Sequence, residues 1–149
     1  VDAAHVNPFL EAASTVFKTV LNCDIQRRRL SFKKSDLPSF EISGVIGLSG
    51  KAAGAVVLSL SKPVAFKVVE TLLDTRVSEI NSDVVDAVGE LTNMIAGGAK
   101  TALAHLEMSL GLPSVVTGGY IKFVSRTPPL GILFDTAWGQ ITLEVILDV

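Results

Sequence analysis

The sequence predicts an α/β domain of the α+β type, in which a mixed or antiparallel sheet packs in layers against helices. Three observations point there. Apolar residues recur at helical spacing in some stretches and alternate at strand spacing in others, and the two kinds fall in the order α-βββ-αα-βββ. Strands grouped in threes imply antiparallel hairpins joined to helices, whereas a doubly wound parallel sheet would alternate strand and helix singly. The 149 residues are 48% hydrophobic and 19% charged, enough for one domain over residues 1–149 to bury a core without staples.

The first helix is expected from about Asn7 to Leu21, with Asn7 as its cap and Pro8 at the first helical position, where a missing N–H costs nothing. Ile25 to about Lys33 reads as a strand. Phe40–Leu48 and Ala53–Leu60 read as a hairpin around the turn Ser49-Gly50-Lys51. Ser61 opens the next helix with Pro63 in its first turn, and Val64–Leu73 carry the periodicity. A polar connection, Asp74–Asn81, leads to a long helix capped by Ser82 and extending to about Leu106. Gly97-Gly98 interrupt its propensity, at about 1 kcal/mol per glycine relative to alanine. Leu110-Gly111-Leu112-Pro113 ends it. Three strands follow: Val115–Val124, Gly131–Ala137 and Gln140–Leu147. In the last of these, Ile141, Leu143, Val145 and Leu147 share one face and Thr142, Glu144 and Ile146 the other.

Composition excludes several functions. Thirteen Lys and Arg against fifteen Asp and Glu give a net charge of −2, without the basic footprint of a nucleic-acid binder. Arg27-Arg28-Arg29, with Lys33 and Lys34, is a local exception that suits a charged strand at a sheet edge. No apolar run is long enough to span a bilayer, and no signal peptide is expected. Cys23 is the only cysteine, so no intrachain disulfide forms and a cytoplasmic setting is expected. His5 and His105 are far apart in sequence and share no ligand spacing, so no metal site is expected. Glycine-rich phosphate-binding loops are absent. The hydrophobic excess fits a homodimer.

The feature that carries chemistry is Asp86-Ala-Val-Gly-Glu90-Leu-Thr-Asn93. At roughly 100° per residue, Asp86, Glu90, Asn93 and Gly97 fall within about 60° of one another. Val84, Val88, Leu91, Ile95, Ala99, Ala102 and Leu106 cluster opposite. Gly89 and Gly97 flank the polar row and leave room for a partner. A Glu–Asn pair cannot activate a nucleophile, because the amide does not titrate. It can hold a water in place and pair with a cation, which is what phosphoryl hydrolysis needs when the metal and the phosphate come from elsewhere. The same spacing would equally suit a solvated helix face. A fainter row on the first helix, Asn7, Glu11 and Ser14, has the same offsets with a serine in place of the amide, and could mark an internal repeat.

Asp86-x3-Glu90-x2-Asn93 fits the [DS]xxxExxN signature of the CheC/CheX/FliY chemotaxis phosphatases, and the chain resembles the CheX branch over nearly its whole length. The Leu-Pro bend, Thr117-Gly118-Gly119 and the closing strand hairpin resemble that family too. The resemblance implies a CheC-like fold and a phosphatase acting on the phosphoaspartate of a CheY-type response regulator. It implies that Glu90 pairs with the regulator's lysine and Asn93 orients the attacking water, with Asp86, Gly89 and Gly97 facing the partner. The chain itself would need no cofactor, Mg²⁺ sitting on the regulator. A single intact motif implies a homodimer, with Asn7/Glu11/Ser14 as a lapsed second copy. The alternatives are a non-catalytic module of the same fold that binds a response regulator or the flagellar switch, and a small-molecule sensor.

Overall fold

The computed structural model describes residues 3–31, 40–118 and 126–149. Its elements are α1 (Ala3–Leu21), β1 (Ile25–Ser31), β2 (Ile42–Ser49), β3 (Ala53–Leu60), α2 (Lys62–Leu73), α3 (Ser82–Ala102), a 3₁₀ turn (Ala104–Leu106), β4 (Ser109–Leu110), β5 (Ser114–Thr117), β6 (Leu130–Thr136) and β7 (Gly139–Asp148). The expected α+β architecture is present, with seven strands among the described residues where six were expected, because the break at Gly111-Leu112-Pro113 leaves a short strand on each side. Every strand pairing is antiparallel. The sheet runs β1-β6-β7-β3-β2-β4, with β5 also on β2.

That order reads the same from either end. β3 and β7 pair at the centre; each makes a hairpin with its neighbour, β2 or β6; and each hairpin is flanked by an outer strand from the other half, β4–β5 on β2 and β1 on β6. The irregularities match as well. In β1, Arg27 pairs with Phe134 and Arg29 with Leu133, leaving Arg28 as one extra residue. Between Leu110↔Leu48 and Ser114↔Val45, three residues of the outer strand oppose two of β2. α1 laid on α3 puts Ala3 at Ser82, Leu10 at Gly89 and Ser14 at Asn93. The faint row of α1 thus has a structural counterpart, each half being a helix followed by three strands' worth of sheet.

One face of the sheet carries the core. Ile42, Ile46, Val56, Leu58, Leu60, Ile132, Ile141, Leu143 and Val145 are buried with Phe9, Phe17, Val64, Val68, Val88, Leu91 and Ile95 of the three helices. Full burial of each such side chain stabilises by about 1.5–3 kcal/mol before entropy is counted. The alternation expected for β7 holds, yet its polar side is not wet: Thr142, Glu144 and Ile146 are buried, as are Ser43 and Ser59, whose hydroxyls bond at 3.0 Å.

Several boundaries differ from expectation. α1 starts at Ala3, so Asn7 is an exposed residue inside the helix and Pro8 lies beyond its first turn. Val6, buried with Phe9 and Leu10, extends the apolar stripe one turn earlier, and this packing outweighs the N–H that Pro8 cannot donate. Asn81, not Ser82, caps α3, its side-chain oxygen accepting from the Val84 amide at 3.1 Å. α3 ends at Ala102, which is exposed, and the chain tightens into the 3₁₀ turn that buries Leu106. β2 begins at Ile42 rather than Phe40. The ends expected at Lys33 and Val124, and the cluster members Lys33 and Lys34, lie outside the described residues. His5 and His105 meet across the fold, ring centroids 6.4 Å apart; among the described residues no group of three or more His, Cys, Asp or Glu is placed to hold a metal. No described helix is long and apolar enough to cross a membrane.

Candidate functional site

α3 is held from beneath. Thr92 is fully buried, and its hydroxyl donates to the Val88 carbonyl at 2.7 Å. Its side chain occupies the space above Gly44 of β2, where a Cβ would collide with the Thr92 Oγ1. The next residue, Asn93, is therefore carried by one of the most closely fitted points in the molecule. Val84, Ala87, Val88, Gly89, Leu91, Ile95, Ala96 and Ala99 are also buried, a broader arc than the sequence stripe alone described. The polar row is what that arc leaves uncovered.

Asp86 and Glu90 are exposed, while Asn93 and Gly97 are half-buried. None of the three polar side chains makes a hydrogen bond or ion pair with another described residue. Neither capping nor a described lysine consumes them. Gly97 is open: a Cβ there would meet nothing within 4 Å. Gly89 is not. It is buried under the outer strand, where a Cβ would lie 3.6 Å from Val115 Cγ2 and 3.8 Å from Pro113. The room expected beside Gly89 is filled by the chain itself, because β4–β5 closes over this flank.

The row consequently runs along a step. The outer strand stands along one side, fixed by the Gly111 amide donating to the Gly47 carbonyl at 2.9 Å; one turn past Asn93 the row continues into the low ground at Gly97. Sequence reasoning took Leu110–Pro113 as a helix terminator and missed its second position as the border of the row. The proline was the available signal, since it fixes backbone where a strand is interrupted.

On α1 the corresponding residues Asn7, Glu11 and Ser14 are all exposed. Glu11 and Ser14 edge a shallow hollow of about 430 Å³, lined also by Leu10, Thr15, Ile25, Arg27 and Phe134. Leu10 stands where α3 has Gly89. Cys23 is buried, and desolvation pushes its thiol pKa up, only partly offset by hydrogen bonds from Ala137 and Thr136; it is no nucleophile at neutral pH.

The family model described as "Chemotaxis phosphatase CheX" matches residues 42–135, which include the whole α3 row. The chain belongs to the CheX chemotaxis phosphatase family. The CheY-P phosphatase CheX of Thermotoga maritima is 28% identical over 127 residues, 83% of this chain and 82% of that protein. The crystal structure of the chemotaxis protein CheX from Vibrio vulnificus superposes with a TM-score of 0.90 at 29% identity, covering 98% of this chain and 100% of the other. CheX from Borrelia burgdorferi, solved as a CheX–CheY–BeF₃–Mg²⁺ complex, has a TM-score of 0.82 at 21% identity, covering 97% and 98%. That last likeness is one of fold.

Proposed function

We propose that this CheX-family chain hydrolyses the phosphoaspartate of a CheY-type response regulator, Glu90 and Asn93 completing a site whose phosphate and Mg²⁺ belong to the partner. The observation that carries the reading is the state of the row itself. Glu90 and Asn93 sit one turn apart on a helix fixed to the sheet, with no described partner in their own chain and open ground beside them at Gly97. Family membership supports it, as do the T. maritima relative, which is a CheY-P phosphatase, and the B. burgdorferi relative, which is complexed with CheY.

The chemistry follows from the side chains. An acyl phosphate is already activated, so hydrolysis needs a water in line with the phosphorus–carboxylate bond rather than a strong base. The Asn93 amide can donate to a phosphoryl oxygen or accept from the water, and so fixes the angle of attack. Water oxygen bonds to phosphorus, the bond to the aspartyl oxygen breaks, and inorganic phosphate leaves carrying both of the water's protons while the carboxylate is restored. Glu90 would repel the phosphoryl group by itself; paired with a regulator lysine it becomes a docking contact. Asp86, further along the row, adds a second acceptor at its edge, Gly97 leaves the partner room, and Gly89 seats the bordering strand. The ion would take no ligand from this chain. Homodimerisation remains part of the proposal; among the described residues, β1 and β4–β5 are the strands with one sheet neighbour each.

The test is phosphate release from a phosphorylated CheY-type receiver with Mg²⁺. Asn93→Ala should lower the stimulated rate by about a hundredfold, the scale of loss when a reacting group is mispositioned, while its melting temperature stays near wild type because the site is at the surface. Glu90→Ala should chiefly raise the receiver concentration needed. Full activity in Asn93→Ala would remove the proposed role, and binding without release by the wild type would favour a non-catalytic module.

A further inference from the structure

The two matching halves account for α1, α3 and the strands, and they leave α2 over. Between α2, the chain that follows it and the turn joining β6 to β7 lies a hollow of about 560 Å³, a size usual for small-ligand sites. Phe66, Val77 and Trp138 line it, each partly buried and packed against the core. The two rings make no contact with each other, and the indole N–H of Trp138, the only tryptophan in the chain, bonds to no described residue. The turn beneath the indole is locked. The Thr136 hydroxyl oxygen accepts from the Trp138 amide at 3.0 Å and the Gly139 amide at 3.2 Å, and the hydroxyl donates to the Gly139 carbonyl at 2.7 Å. Trp138 thus stands on a fixed backbone, so a ligand resting on it costs little ordering entropy.

The charged lining is cationic on balance. Lys67 of α2 and Arg76 of the following connection both face Glu70, at 3.6 and 3.9 Å. These are loose pairs, since a charge-assisted hydrogen bond closes to about 2.7–2.9 Å. Neither cationic side chain hydrogen-bonds to a described residue, so most of their donors are unspent. Glu70 works against an anion here, but two cations outnumber it. Aromatic surface beside unspent cations suits a planar ring that carries an anion, because the ring stacks while the anion takes the donors. Lys67 and Arg76 come from separate segments, which fits the several oxygens of a phosphate better than the two of a carboxylate. We propose that the hollow between α2 and the β6–β7 turn binds a nucleoside monophosphate, its base against Phe66 and Trp138 and its phosphate on Lys67 and Arg76. No residue of the α3 row lines this hollow, so the site stands or falls independently of the phosphatase reading.

The experiment titrates the full chain with AMP, GMP, adenosine and inorganic phosphate, reading the fluorescence of Trp138 and the heat of binding. AMP or GMP should quench Trp138 saturably, with Kd below about 1 mM. Adenosine and inorganic phosphate should each bind at least about tenfold more weakly, because each offers one part of the recognition. Arg76→Gln changes a side chain that is 89% exposed, so the fold should be unaffected; it should weaken monophosphate binding about tenfold. Phe66→Leu keeps apolar bulk but removes a stacking face, and should weaken binding about fivefold. The absence of saturable quenching and heat with both nucleotides up to about 10 mM overturns the site. Equal affinity for adenosine and AMP overturns the role of the cations, and equal affinity for inorganic phosphate and AMP overturns that of the rings. Wild-type affinity in Arg76→Gln overturns the proposal as well.

Discussion

On α3, Asp86, Glu90 and Asn93 stand beside an outer strand interrupted at Gly111-Leu112-Pro113; on α1, Asn7, Glu11 and Ser14 stand beside one that carries Arg27 and Arg28. The frames are equivalent in strand order and in the single extra residue of each outer strand. What differs is the lining. Where α3 has Gly89, letting Pro113 and Val115 rest on the helix, α1 has Leu10, and a hollow of about 430 Å³ remains at that flank. The amide and the close approach of the border come together in one half only.

The sharpest way to break this comparison is to exchange the distinguishing residues. Asn93→Ser combined with Ser14→Asn should leave stimulated phosphate release about a hundredfold below wild type, because the amide moved to α1 lacks the strand border. Recovery to a substantial fraction of wild-type rate would show that the two frames are interchangeable. The next effect in size concerns the seat of α3. Gly44→Ala should destabilise the fold by about 1–3 kcal/mol, read as a lower denaturation midpoint, since a Cβ there collides with the buried Thr92 and overpacked cores cost that much. The variant should lose catalysis too, as Thr92 is the anchor next to Asn93. A midpoint equal to wild type would mean that α3 is not held there. The smallest effect has the opposite sign. Gly89→Ala should stabilise by about 0.5–1 kcal/mol, a glycine in a helix interior being replaced at a position where the Cβ makes only ordinary contacts. Net destabilisation would show that the border needs a bare backbone.

Much of the frame was legible in sequence because it is written in period. The strand alternation of Ile141, Leu143 and Val145 and the helical recurrence of Val84, Val88, Leu91 and Ile95 each place a face toward the core without knowledge of any neighbour. The offsets of Glu90 and Asn93 were readable for the same reason. The start of α1 was not, because Asn7-Pro8 is a strong local start signal and only the tertiary burial of Val6 overrides it. Asn81 and Ser82 are both good caps, and local chemistry could not choose between them. The burial of Thr142 and Glu144 depends on cross-strand and layer neighbours that no window of sequence contains. The border at Pro113 escaped notice for a related reason: it lies twenty residues from Asn93 along the chain and is brought beside the row only by pairing of the outer strand with β2.

α1 and α3 meet where a Cβ added to Gly98 would lie 3.1 Å from the Ala12 methyl. Two of the smallest side chains thus act as a spacer that sets how high α3 rides against its twin helix. Gly98 is only five residues beyond Asn93, so the elevation of the amide is dictated in part from the opposite half of the molecule. An enlarged residue at position 12 or 98 would shim the helices apart, and a displacement of about 1 Å at a reacting centre is enough to cost a hundredfold in rate. The half whose row lacks the amide still gauges the other.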